Sequence, residues 1–255
     1  MSATRDHPAF PQPTSSDTKI WRYMDFAKYV ALLQRGALYL PRVDQLEDPY
    51  EGTLTRSEFE RIKRLGDEHA DKQGPNWNGK RLDEVKLGQA RTARITNYVS
   101  CWHLRDIESE AMWRLYSTSS YAIAIQSRYA KFADLLPQLH NGCFIGAVQY
   151  IDHHKDEITG DNIFYPIMHK RSSFEHEQEV RVVVWRRDPG TENPETLEAY
   201  PPGLEVKLDM SALVDRVIVS PTAPEWFVQV VADVTTRYGY AIPVAQSDLN
   251  LVPYL

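Results

Sequence analysis

The sequence predicts an α+β domain with a mixed central sheet, a helical insert and a C-terminal βαβ unit. Three observations carry this. Short apolar runs such as KIWRYMDF, YAIAIQS and CFIGAVQYID alternate with segments of helical period, so strands and helices interleave along the chain. Residues 53–97 are highly charged with few apolar faces, which predicts two helices, 53–72 and 80–96, split by the breaker GPNWNG. The ending runs DRVIVS, PEWFVQVVADVTTRYG, YAIPVAQ, and a strand–helix–strand of that length closes with parallel strands.

Taken in order, MSATRDHPAFPQPTSSDT (1–18) is rich in Pro, Ser and Thr and predicts a flexible tail. It lacks the apolar stretch of a signal peptide. KIWRYMDF predicts an aromatic strand. DFAKYVALLQRG predicts a helix, because Phe26, Tyr29, Val30 and Leu33 share a face and Gly36 stands at the C-terminal cap. ALYLPR is a strand and DQLEDPYEG a turn built on Asp-Pro. After the insert come strand YVSCWHL, a helical turn or two in ESEAMWRLY with Ser109 as N-cap, and strand YAIAIQS. RYAKFADLLPQL is a helix and CFIGAVQYID one strand. A last central strand is expected near 178–187, and VKLDM is a further strand. Residues 19–255 then form one domain with the insert 53–97.

Composition excludes several classes. A net charge of −6 gives no bulk attraction to nucleic acid. No run nears the ~20 apolar residues of a membrane span. The two cysteines, Cys101 and Cys143, lie in apolar runs and are expected as buried free thiols in a reducing compartment, the cytoplasm. GxGxxG, GxxxxGK[ST], HExxH, GxSxG and paired CxxC motifs are absent. No metal site is expected. DHHKDE (152–157) reads as a solvated loop, and Trp102, Trp113 and Met112 as core.

The stretch HKRSSFEHEQEVRVVVW (169–185) is the most pointed. At strand spacing Glu177, Glu179 and Arg181 share one face, and the strand then runs into a valine core. A salt-bridge ladder explains this blandly, each exposed pair stabilising by under ~1 kcal/mol. Alternatively the carboxylates line a cleft, since buried charge is costly unless it is paired or used.

Several blocks resemble a bacterial family of unknown function, DUF2971. They are WRYMDFAKYVALLQRGALYL, LEDPYEG, SCWHLRDIESEAMWRLYS with YAIAI, KRSSFEHEQEVRV, and VIVSPTAP…GYAIPVAQSDL. The resemblance spans nearly all of the chain from Lys19 and brings no activity. The order of a second set of residues resembles ADP-ribosyltransferase-like domains. These have an Arg or His on a first strand, a Ser- or Tyr-containing element, and a late Glu, often in an ExE pair. Here the matching residues are Arg22 or Tyr23, then Ser117-Thr118-Ser119, then Glu177-Gln178-Glu179. The insert 53–97 and the C-terminal βαβ unit depart from that pattern. The resemblance implies NAD as substrate. It implies Glu179 beside the breaking glycosidic bond, Glu177 orienting a water or an acceptor (protein or nucleic acid), Arg22 and Ser117 or Ser119 holding the nucleotide, and Tyr23 or Tyr116 stacking on nicotinamide. Two rival readings remain. One is a metal-dependent nuclease or hydrolase using Asp48, Glu51, Glu177 and Glu179. The other is a non-enzymatic ligand-sensing or partner-binding module in bacterial defence.

Overall fold

The computed structural model describes residues 7–73, 79–116, 120–135, 142–158, 160, 162–186 and 200–250. The chain opens with β1 (Lys19–Asp25), α1 (Phe26–Arg35) and β2 (Ala37–Pro41). Asp25 caps α1 by accepting from the Lys28 amide at 2.7 Å. Gly36 ends the helix at φ 55°, and its amide returns to the Leu32 and Leu33 carbonyls. That left-handed cap turns the chain straight into β2.

The insert is a pair of helices, α2 (Arg56–Gln73) and α3 (Leu82–Thr96). Most of GPNWNG lies outside the described residues. Asp83 is 1% exposed and binds Lys63 and Arg81 at 2.9 and 3.0 Å. It fits because Gly66 has no side chain: a Cβ there would overlap the Asp83 carboxylate. β3 (Asn97–Leu104) follows, then α4 (Glu110–Tyr116), β4 (Ala122–Arg128), α5 (Tyr129–Leu135) and β5 (Cys143–Ala147). Ser109 Oγ accepts from the Met112 amide at 3.4 Å, in the capping position expected of it. Next come β6 (Gln149–Ile151), β7 (His169–Arg171), β8 (Glu179–Trp185) and β9 (Gly203–Lys207). The chain closes with α6 (Met210–Leu213), β10 (Arg216–Val219), α7 (Glu225–Arg237) and β11 (Val244–Gln246).

Seven strands form one mixed sheet in the order β11-β10-β4-β1-β3-β8-β5. Within this sheet β10 and β11 pair in parallel, joined by α7, so the C-terminal βαβ unit is present. The smaller pairs β2–β9 and β6–β7 flank the sheet. β1 pairs with β4 over its full length, and β3 pairs with β8 from Asn97 to His103. β1 and β3 meet only at Ile20–Leu104 and Trp21–His103. Past those two pairs, the sheet is split.

Alternation sorts β8. Val180, Val182 and Val184 enter the main core with Trp102, Ile123, Ile125 and Phe132. Each buried valine stabilises by about 1.5–3 kcal/mol. Glu179 and Arg181 face the other way, together, as strand spacing requires.

Four expectations are corrected. Residues 7–18 do not hang free: Ala9 and Phe10 are 2% exposed, and Phe10 stacks on Phe144 with ring centroids 4.9 Å apart. The Ala147 amide donates to Pro11, and Gln12 caps the Ile145 carbonyl, so the segment covers the β5 edge. Two apolar residues outweighed the Pro/Ser/Thr composition around them. CFIGAVQYID is two strands in different sheets, broken at Val148. DHHKDE is not wholly solvated, because His153 is 3% exposed beside Tyr50. Finally, the last central strand starts at Glu179. Glu177 ends a 3-10 turn, Ser172–Glu177, and Gln178 is left-handed at φ 40°. Glu177 and Glu179 are therefore not neighbours on one face of a regular strand.

Candidate functional site

Five charged side chains gather at the start of β8. Lys170 Nζ lies 2.6 Å from Glu177, 3.1 Å from Glu179 and 3.3 Å from Glu51. The Arg181 guanidinium bonds both Glu179 oxygens, at 2.5 and 3.1 Å, and reaches Glu51 at 2.7 Å. Its remaining nitrogen donates to the Ile167 carbonyl. Three carboxylates face two cations, so the cluster carries one net negative charge. Arg181 is fully buried, Glu51 and Glu179 are 3% exposed, and Lys170 and Glu177 8%. The elements supply these groups from four directions: the turn after Asp48, β7, the 3-10 turn and β8.

The environments of the two ExE carboxylates differ. Burial alone would raise the Glu179 carboxyl, but the charges of Arg181 and Lys170 overcome it and hold it down at about 2. Burial raises Glu177, and its hydrogen bond to Lys170 only partly offsets this. The Cys101 thiol bonds Glu179 and is pushed well up by burial and by that carboxylate, so it stays neutral. Both cysteines are free, but only Cys143 is buried as expected, its thiol pushed up to about 12 by burial, while Cys101 is half-buried because it opens onto the cavity wall. The Glu179 amide donates to the Tyr150 hydroxyl at 2.7 Å.

This cluster forms one wall of a cavity of about 740 Å³ that occupies the split between β1 and β3. Glu51, Glu177, Glu179, Lys170, Cys101 and His103 line it on the β3–β8 side. Arg22 lines it from β1. Its guanidinium sits 6.0 Å above the Trp102 ring and donates to the Tyr39 carbonyl at 3.3 Å. It has no ion pair among the described residues. Burial lowers its pKa, yet a guanidinium keeps its charge. Lys28 and Arg35 also line the cavity, paired with Asp25 at 3.3 Å and with Glu205 at 2.9 Å. Arg22 thus stands on the β1 wall of the cavity and the net-negative cluster on its β8 wall.

The structure brings Arg22, Tyr23, Tyr116, Glu177 and Glu179 to this one cavity. The two tyrosines differ. Tyr23 is 6% exposed, its ring edge-on to Trp113 and its hydroxyl accepting from the Ser109 amide. Tyr116 is 44% exposed and so has free ring surface. Ser117, Thr118 and Ser119 lie outside the described residues. Asp48 is held by Arg171 in a two-point bond of 2.8 and 3.0 Å. Among the described residues no group of three His, Cys, Asp or Glu is arranged to hold a metal ion. Glu51, Glu177 and Glu179 do converge, but the Lys170 ammonium stands at their centre.

Sequence reasoning overlooked His103. Its Nδ1 donates to the Glu177 carbonyl at 2.6 Å, which fixes the turn holding that carboxylate. Burial lowers its pKa and keeps it neutral. No local signal marks it, since its partner is 74 residues away. Among the described residues no helix is long and apolar enough to cross a membrane. No protein-family model, curated protein or solved structure matches the chain.

Proposed function

We propose that the cleft binds NAD and breaks its nicotinamide–ribose bond, passing ADP-ribose to an acceptor or to water. The observation that carries this reading is that one cavity sets Arg22, without an ion pair among the described residues, on its β1 wall and a net-negative carboxylate cluster on its β8 wall. NAD carries the complementary charges. Its diphosphate suits a planar guanidinium, and its pyridinium end suits carboxylates. The resemblance in residue order, from Arg22 to Glu177-Gln178-Glu179, supports the same assignment.

The chemistry follows from the charges. The C–N bond breaks with its electron pair leaving on nicotinamide, which departs neutral and needs no proton. The ribose carbon becomes oxocarbenium-like, as in glycoside cleavage. Glu179, held ionised, supplies negative potential from a water-poor wall, where charge is weakly screened. Glu177, with its raised pKa, takes the proton from the attacking hydroxyl or water. Two carboxylates pushed apart in pKa suit these two roles. Arg22 holds the diphosphate, and Tyr116 offers its ring to the nicotinamide.

The test is nicotinamide release from NAD, with melting curves in the presence and absence of NAD. The reading expects release, and a rise in melting temperature that Arg22→Ala abolishes. Wild type that neither releases nicotinamide nor gains stability from NAD overturns it.

A further inference from the structure

A second cavity, about 540 Å³, opens at the base of the helical insert, where α2 begins beside α3. Arg56 from α2, Arg91 and Arg94 from α3, and His153 and His154 from the loop after β6 all line it. No Asp or Glu is among its lining residues, in a chain of net charge −6. Buried Glu58, close by in sequence, is turned back onto the Thr55 amide at 2.8 Å. Arg56 pairs with Glu60 at 2.8 Å. Arg91 and Arg94 have no ion pair among the described residues, and the Arg94 Nε is buried with no hydrogen-bond partner there. His153 is 3% exposed, and neither of its ring nitrogens has a hydrogen-bond partner among the described residues. Unsatisfied buried donors of this kind cost stability unless something binds them.

We infer that this cavity is a binding site for a phosphomonoester with an apolar or aromatic body, of the size of a mononucleotide. Guanidinium forks match phosphate or carboxylate geometry. A phosphomonoester carries about −1.5 to −2 charge near neutral pH, so it answers two guanidiniums without an ion pair among the described residues better than one carboxylate does. The volume exceeds what a lone phosphate needs and falls in the range of small-molecule sites. Leu54, Phe59, Leu87 and Ala90 supply an apolar wall for the rest of the ligand. This inference is independent of the NAD reading, because none of its residues lines the first cavity. The two cavities do share one turn: Glu51 lines the first, Tyr50 and Gly52 the second.

Calorimetric titration of the full chain with AMP, adenosine and inorganic phosphate, at fixed ionic strength, tests it. AMP is expected to bind and adenosine to fail, since the phosphate carries the recognition. Arg91→Gln and Arg94→Gln should each weaken AMP on the order of tenfold, the usual effect of losing one charge-assisted bond. Arg91 is exposed, so its variant keeps the fold, and unfolding curves verify this for both. Arg22→Ala should leave this binding unchanged, even if NAD fails to bind at the first cavity. Equal binding of AMP and adenosine, no binding of AMP, or AMP binding lost with Arg22→Ala and kept in both helix variants would each overturn the proposal.

Discussion

Glu177 and Glu179 hold one ammonium, Lys170 Nζ, at 2.6 and 3.1 Å, from either side of the left-handed residue Gln178. A regular strand would set the two carboxylates side by side. The 3-10 turn brings Glu177 round to Lys170 instead, so one cation serves both. Arg181 then serves Glu179 a second time.

This unequal pairing predicts unequal stability effects. Glu179→Gln leaves Arg181, fully buried, short of its nearest countercharge. Breaking one side of a buried pair costs about 3–5 kcal/mol. Glu177→Gln removes a group nearer the surface, leaves Lys170 with Glu51 and Glu179, and should cost markedly less. Urea unfolding midpoints of the two variants compare them directly. Equal losses would mean that the cluster does not divide in this way.

Acid titration separates the same two residues. Glu179 is held at about 2, below its ordinary 4.5, so its stabilisation is present above 4.5 and is lost as pH falls toward 2. Glu177 is raised above 4.5, so its contribution is complete below 4.5 and is lost as pH rises through its folded value. Glu177→Gln removes only the second term. The stability of that variant relative to wild type should therefore rise as pH increases above 4.5. A difference that is flat with pH would show that Glu177 is not raised.

The left-handed backbone at Gln178 makes a local prediction. A side chain in that conformation costs about 1 kcal/mol relative to glycine. Gln178→Gly should hold or raise the melting temperature, and Gln178→Val should lower it. If valine is tolerated as well as glycine, the turn does not have this geometry in solution.

The N-terminal segment should behave as core. Phe10→Ala opens a hole between Phe144 and Phe164, at a cost of about 3–5 kcal/mol. Gly146→Ala should act on the same contact from β5, since its Cβ would lie 2.7 Å from the Phe10 Cα. Deleting residues 1–12 should then make Gly146→Ala nearly neutral. Full additivity of the deletion and the substitution would show that the segment does not pack on β5.

What the sequence determined alone is whatever a short stretch encodes. The helix of Phe26–Arg35 with its Asp25 and Gly36 caps, the two helices of the insert, and the closing strand–helix–strand were legible, because periodicity and cap residues act within a few positions. So was the shared face of Glu179 and Arg181, set by the pitch of a strand. The tertiary structure decided the rest. Val182 and Glu179 occupy one strand, yet only the packing of both sheet faces says that one enters a core and the other a cleft. The cleft exists because β1 and β3 join at two residue pairs and then part, and no local pattern encodes a failure to pair. Glu51 and His103 reach the cluster across distances in sequence of 130 residues to Arg181 and 74 to Glu177. Burial raises both carboxyls, yet only Glu177 ends high, since the fold sets Arg181 as well as Lys170 beside Glu179.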